Sequence, residues 1–267
     1  MLPTAFSPTF VLILLWLAFG KLLSIGFFSL LARQPGLRAR RVIAAEVGRE
    51  QTRRELRSAW LVLTDPAVLA LLVWMGWIRF AEETWAHAAF TAAVFFLWAE
   101  VWFYGTHRLM HKSDWLWAFH EKHHLSEVPQ PLTATSFSLV EKLFFYTCGW
   151  LGFLAVLSWW APVSLYGIAA FYSYYFITSP LAHSNLELQP AWVHDLPGGL
   201  GKILGTATGH AVHHGRHDLN YGFITSVLDR VFGTYWAGTE DALRQVAEGR
   251  ALSPAELPRA AGREQTS

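Results

Sequence analysis

Long apolar runs separated by short polar segments dominate the chain. The first run, 10–31, has the length of a membrane span, about 20 residues, and Lys21 is the charged residue that interrupts it. Four later runs are arranged as two predicted membrane hairpins: 60–78 with 86–104, and 143–160 with 163–177. An Asp65–Pro66 pair leaves a shorter helix beginning at Pro66 as an alternative for the second run. The pattern predicts an all-α integral membrane protein with about five membrane-embedded helices.

The polar segments set the expected orientation. Residues 32–58 carry eight arginines against three acidic residues. We interpret them as an Arg-rich cytoplasmic or interfacial segment that is partly helical, because basic loops stay on the cytoplasmic side. Two hairpins then return 105–142 and 178–267 to that same side. In a bacterium the membrane would be the plasma (inner) membrane.

Composition narrows the class further. Hydrophobic residues make up 53% of the 267 residues and charged residues only 15%, against about 25% charged in soluble domains. The net charge of +1 offers no basic field for nucleic acid. Cys148 is the single cysteine, which excludes an intrachain disulfide and a CxxC metal site. Metal-binding potential therefore rests on the twelve histidines.

Histidines recur at helical spacing in the two predicted cytoplasmic segments. One pair has i, i+4 spacing, and two triplets have i, i+3, i+4 spacing, which places each set on one helical face. With one isolated residue the elements hold nine histidines: His107, His111, His120, His123, His124, His183, His210, His213 and His214. A structural zinc takes four ligands, so nine imidazoles predict two metal ions, and imidazole suits Zn, Fe, Cu and Ni.

Supporting residues can also be proposed from position. Glu100 lies on the same helical face as the first histidine pair, where it could accept a hydrogen bond from a ligand imidazole or simply pair with another polar group. Tyr104 borders that face, and Asp218 or Asp229 could orient the last triplet. Three histidines lie off the pattern and are interpreted as surface or supporting residues: His87, His194 and His217.

The order HxxxH, HxxHH and a second HxxHH between membrane hairpins resembles the fatty acid hydroxylase superfamily, which includes sterol desaturases and C4-methyl sterol oxidases. The resemblance covers residues 95–236. Further matching elements are His183-Ser184-Asn185, Asn220-Tyr221-Gly222 and the segment 229–235. Two positions depart from relatives: Ser138-Leu139-Val140-Glu141 replaces a His-Pro-x-Glu element, and Ser179 stands where fatty acid 2-hydroxylases have histidine.

The resemblance implies a non-haem diiron enzyme that hydroxylates or desaturates a lipid with O₂ and electrons from a separate redox partner. The lipid could be sterol-like, fatty acyl or another alkyl compound, and the nine histidines would be the iron ligands. The expected organisation is an N-terminal span (1–31), the Arg-rich segment (32–58), a catalytic domain with both hairpins (59–238) and a frayed polar tail (239–267).

Two other functions fit parts of the pattern. His120-Glu121-x-x-His124 matches the zinc-protease motif, in which glutamate is the general base, so an intramembrane metalloprotease is the alternative enzyme. It leaves the other histidines unexplained. A metal transporter is a non-enzymatic alternative, but transporters place ligands near the bilayer midplane, whereas these histidines lie beyond the apolar runs.

Overall fold

Helices account for the architecture of the part of the chain that the structure, a computed structural model, describes: residues 7–193 and 196–253. Extended contacts in these ranges are isolated bridges, so the all-α prediction is confirmed. The α-helices are α1 (Pro8–Leu31), α2 (Arg49–Ser58), α3 (Thr64–Trp74), α4 (Trp85–Lys112), α5 (Asp114–His124), α6 (Gly149–Leu157), α7 (Leu165–Ala182), α8 (Ala207–Gly215), α9 (Val227–Val231) and α10 (Thr239–Ala247). A π-helix (Glu141–Cys148) leads directly into α6, and 3₁₀ turns cover Pro35–Arg40, Ala59–Leu63, Pro131–Thr135, Ala191–Val193 and Pro197–Ile203.

Hydroxyl caps fix where the principal helices begin. Thr84 and Ser164 accept hydrogen bonds from the backbone N–H of the third residue of α4 and α7. Ser113 is the single residue between α4 and α5, and its hydroxyl caps α5; Thr206 caps α8 in the same way. Such caps satisfy N–H groups that have no partner within the helix, so each histidine-bearing helix starts at a defined residue.

Three helical segments of the described chain are long and apolar enough to cross a membrane: Pro8–Leu31, Arg49–Trp74 and Trp85–Lys112. The second predicted run is shorter as an α-helix than expected, since α3 begins at Thr64 and the Asp65–Pro66 pair lies in its first turn. The last two predicted runs are helical, but neither meets the length and hydropathy of a span. Five embedded helices therefore remain a prediction.

Close helix contacts bring α1, α4 and α7 together. A Cβ at Gly20 of α1 would lie 2.9 Å from the ring of Phe176, and one at Gly167 of α7 would lie 2.6 Å from the Ala88 carbonyl oxygen of α4. These approaches leave no room for a side chain. The resulting core is apolar and rich in aromatic residues, with Phe95 stacked on Phe171 at 3.9 Å between centroids.

Both polar flanks pack onto the histidine-bearing half of the fold. Buried Glu55 of α2 accepts hydrogen bonds from Ser126, Gln130 and Thr133 in the segment after α5. The helix α2 itself confirms that the Arg-rich segment is partly helical. The expected frayed end does not begin at residue 239: α10 packs Ala242 and Val246 against α8, because apolar residues recur at helical spacing within its polar composition. Residues 254–267 lie outside the described residues.

Candidate metal centre

Four chain elements carry the nine histidines to one place. The first pair lies at the C-terminal end of α4, the first triplet at the end of α5 and the second triplet in α8, while His183 immediately follows α7. All nine side chains are buried: His107, His111, His120, His123, His124, His183, His210, His213 and His214. The structure thus brings together the eight histidines singled out by their spacing and the isolated His183.

The histidines form two groups in which the nitrogens converge. The ligand atoms of each group lie within 4.8 Å of one another. The five-histidine group consists of His107, His111, His120, His124 and His213, and the four-histidine group of His123, His183, His210 and His214. The groups adjoin, since the ring centroids of His124 and His214 are 4.9 Å apart. Each triplet is divided between the two groups, so α5 and α8 each contribute histidines to both.

Outer hydrogen bonds orient several of the rings. The Nδ1 atoms of His107, His183 and His213 lie 2.7 Å from the carbonyl oxygens of Tyr221, Ser179 and Leu219, respectively. A carbonyl only accepts, so these contacts assign the proton to Nδ1 and leave the Nε2 lone pair free for a metal. In agreement, Nε2 of His107 lies 3.0 Å from Nε2 of His213 and 3.2 Å from that of His111.

Burial keeps these imidazoles neutral. It lowers the pKa of His120 and of His183 to about 3. The pKa values of the other histidines of α5 and α8 also fall well below 6.5, because of burial first and neighbouring histidines second. His214 has neither ring nitrogen hydrogen-bonded among the described residues. Neutral, converging and partly unpaired imidazole nitrogens fit a nitrogen-ligated metal site.

The acidic and phenolic residues proposed as direct supports take other partners. Glu100 accepts a hydrogen bond from the Thr225 hydroxyl rather than from an imidazole. The Tyr104 hydroxyl lies 2.9 Å from that of Thr234, and Asp218 accepts from Arg216 at 2.9 Å.

Asp229 contacts the backbone of a loop that orients a histidine ring, and not a histidine ring itself. It is buried, and its carboxylate accepts from the backbone N–H of Tyr221 at 2.9 Å and of Gly222 at 2.7 Å. Burial raises its pKa. Because the Tyr221 carbonyl is the partner of His107, Asp229 fixes the loop that orients this ring.

Glu141 is the carboxylate that contacts a candidate ligand directly. Its Oε1 lies 2.6 Å from Nδ1 of His120, both side chains are buried, and the Tyr146 hydroxyl donates to the same oxygen at 3.3 Å. Sequence reasoning noted this residue only as part of a departure from relatives. Of the His-Pro-x-Glu element of relatives this chain keeps the final glutamate, Glu141, and that retained residue is the sequence signal that could have identified it.

His87 and His217, the two described histidines off the pattern, lie outside both groups. His87 is exposed at the opposite end of α4, with Nδ1 2.7 Å from the Glu82 carbonyl oxygen. His217 lies beside the site, its ring centroid 4.5 Å from that of His124, and its Nε2 is 3.0 Å from the His214 carbonyl oxygen. His194 lies outside the described residues.

A small cavity of about 20 Å³, room for one water molecule, adjoins both groups, and we call it the inner cavity. Its wall combines candidate ligands with aromatic side chains and one serine: His107, His120, His123, His183, His210, Phe103, Phe137, Tyr146, Tyr175, Ser179 and Phe223. The arrangement therefore places aromatic side chains directly beside the nitrogen-rich centre.

The family model described as fatty acid hydroxylase matches residues 92–234, just over half of the 267 residues. The chain belongs to the fatty acid hydroxylase family. The match spans both histidine groups completely, and the resemblance expected from the histidine elements is confirmed.

Curated relatives in this family are similar over part of their length. An alkylglycerol monooxygenase from Danio rerio is 32% identical over 166 residues, covering 59% of this chain and 33% of the relative. The alkylglycerol monooxygenase from Homo sapiens is 32% identical over 153 residues, covering 54% of this chain and 30% of the relative. A very-long-chain aldehyde decarbonylase from Oryza sativa subsp. indica is 24% identical over 152 residues, covering 57% and 24%. The chain thus spans about a quarter to a third of these relatives' length, and no solved structure matches it significantly.

Membership in the fatty acid hydroxylase family and the geometry disfavour the alternative functions. A zinc protease requires its glutamate to face the metal-bound water, but Glu121 is exposed on α5. The two histidines of the protease motif, His120 and His124, instead belong to the five-histidine group. For a transporter, the buried histidines lie at helix ends rather than on broken helices at a midplane.

Proposed function

We propose that this protein is a membrane-bound, non-haem diiron oxygenase that hydroxylates or desaturates an alkyl chain of a lipid. The observation that carries the proposal is the pair of adjoining, buried histidine groups next to an aromatic cavity. In hydroxylation, one lipid C–H bond and O₂ would give C–OH and water, with two electrons and two protons from outside. In desaturation the second hydrogen would leave instead, forming a C=C bond and a second water.

Two iron ions, one in each histidine group, would supply the reductive activation of O₂ and the oxidation of the C–H bond. The five-histidine and four-histidine groups hold nine of the chain's twelve histidines. Nine ligands exceed what one ion needs and suit two ions with room for oxygen. We take a separate redox partner as the electron source.

The chain's own residues would hold and orient the reacting partners. Carbonyl oxygens and Glu141 set the rings of the candidate ligands through Nδ1, which reduces reorganisation when metal binds. The aromatic wall of the inner cavity, including Phe103 and Phe137, would limit water at the centre and would offer an apolar surface to an alkyl chain that reaches it. Relatives named for alkylglycerol and very-long-chain aldehyde support a long alkyl substrate over a sterol.

Oxygen-isotope labelling tests this proposal. Anaerobically purified protein, loaded with Fe(II) in detergent, would be given a chemical reductant, ¹⁸O₂ and either an alkylglycerol or a fatty acid. We expect mass spectrometry to find one ¹⁸O in a hydroxylated product, or loss of two hydrogens in a desaturated one. The His214→Ala variant serves as the control. Iron-loaded protein that leaves both lipids unchanged under these conditions would refute the oxygenase proposal.

We also propose that the centre faces the cytoplasm. The apolar α1, the Arg-rich segment 32–58 and the two predicted hairpins support this orientation. In a Cys148→Ser background, Arg53→Cys should react with a membrane-impermeant maleimide only after intact cells are opened. Reaction in intact cells would reverse the topology.

A further inference from the structure

A second, larger space lies beside the inner cavity. It is a groove of about 340 Å³ between the C-terminal half of α7 and two stretches of chain, residues 186–193 and 204–207, and we call it the α7 groove. Its lining is mainly apolar and includes Leu181, Leu188, Leu204 and Ile224. The volume falls within the roughly 300–1,000 Å³ of ligand pockets.

Phe223 is the one described residue that lines both the α7 groove and the inner cavity. On the cavity side its ring centroid is 5.6 Å from that of His210 and 6.3 Å from that of His183. On the groove side it adjoins Ile224 and the wall at Leu204. A half-buried phenyl ring therefore separates the outer space from the metal centre.

The backbone around Phe223 is held on both sides. The Gly222 N–H donates to Asp229 at 2.7 Å, and the Ile224 carbonyl accepts from the Gly205 N–H at 3.0 Å. A backbone fixed in this way leaves side-chain rotation as the least costly movement, and rotation of a partly exposed side chain is fast. The ring can thus change the connection between the two spaces without rearranging the loop.

The exposed surface around the groove is apolar. Leu204, which lines the groove, is 45% exposed, Trp192, next to the lining residue Val193, is 64% exposed, and Leu200, four residues before Leu204, is 62% exposed. On the opposite wall, Ile177 of α7 is 55% exposed and adjoins Thr178 of the lining. Large exposed apolar side chains with a tryptophan are typical of a membrane interface, so the groove opens where lipid chains are available.

We propose that the α7 groove binds the alkyl chain of the lipid substrate as it leaves the bilayer, and that Phe223 controls which chains reach the inner cavity. The inference rests on the proposed function, whose substrate path it specifies. An apolar rim and a mainly apolar groove, separated from the histidine groups by one phenyl ring, identify the occupant as a single alkyl chain. Phe223 is thereby a specificity-determining residue.

Photo-crosslinking tests the path without requiring turnover. The probe is a 1-O-alkylglycerol with a diazirine at the chain terminus, irradiated with the full-length protein in bilayer nanodiscs, and labelled peptides are identified by mass spectrometry. In wild type we expect labelling of the groove peptides 181–189 and 204–207. Phe223→Ala should raise labelling of inner-cavity peptides that contain Phe103 or Phe137 at least about threefold, and Phe223→Trp should lower it by a similar factor while groove labelling persists.

Phe232→Ala is the matched control, because that phenylalanine is exposed and lies outside both spaces; its labelling should equal wild type. Iron content and thermal unfolding verify that each variant is folded. Unlabelled groove peptides, or equal cavity labelling in both Phe223 variants, would overturn the inference. The ¹⁸O₂ assay is independent of the crosslinking. Groove labelling without lipid oxidation would refute the oxygenase proposal but retain the binding path. Lipid oxidation without groove labelling would retain the oxygenase proposal and refute the binding path.

Discussion

The contact between Glu141 and His120 yields a quantitative prediction for metal binding. Glu141 Oε1 lies 2.6 Å from Nδ1 of a ring that is 1% exposed. Loss of such an outer partner typically lowers metal affinity by about 10–100-fold. Glu141→Gln keeps an acceptor oxygen but removes the charge, so we expect about a tenfold loss. Glu141→Leu also leaves the ring N–H without an acceptor, so we expect about a 100-fold loss, equivalent to about 2.7 kcal/mol.

Competition with a chromogenic Fe(II) chelator, carried out anaerobically in detergent, measures this difference. Glu121→Gln is the matched control, since this carboxylate is exposed on the same helix as His120, and its affinity should stay within about twofold of wild type. Wild-type affinity in Glu141→Leu would refute the role assigned to the contact. An equal loss in Glu121→Gln would show that the effect is not specific to the buried carboxylate.

Further predictions concern stability, ligand assignment and pH. Lys142→Met removes the charged partner of buried Asp65, whose carboxylate lies 2.8 Å from the ammonium, and leaves it only neutral donors such as Thr147. The loss should cost about 3–5 kcal/mol, and Asp65→Leu combined with Lys142→Met should recover most of it in thermal unfolding. His214→Ala should lower lipid oxidation by more than the roughly 10–100-fold of an outer partner, while His217→Ala, outside both groups, should keep most of the activity in the same assay. The metal-free protein should lose thermal stability as pH falls from 6.5 towards about 3, because the folded His183 has its pKa lowered to about 3 and only the unfolded chain takes up the proton; a melting temperature unchanged between about pH 7.5 and 5 would contradict this.

Local spacing explains why the histidines could be predicted. The i, i+3 and i+4 positions of α5 and α8 depend only on helix geometry, and the sequence signals for both helices are strong. How the triplets divide between two groups was not predictable, because His123 and His210 meet only when α5 and α8 pack against each other. The same packing places His183, which has no local partner, in the four-histidine group.

Long-range contacts account for what the sequence did not reveal. Glu141 reaches His120 across 21 residues, and the carbonyl oxygens that orient other rings have no side-chain signature. Glu100 is expected near the first histidine pair from helical spacing, yet Thr225, 125 residues away, donates its hydrogen bond to this carboxylate. For the fold, hydropathy identified the apolar helices, but the polar composition of 239–253 concealed the apolar face that packs on α8.

Metal content measured anaerobically on purified wild type and two paired variants tests the diiron centre most directly. One variant, His124→Ala with His213→Ala, disrupts the five-histidine group, and the other, His123→Ala with His214→Ala, disrupts the four-histidine group. We predict about two irons per wild-type chain and loss of about one in each variant, since each group holds one ion. A single zinc per chain that survives both double substitutions would contradict the account.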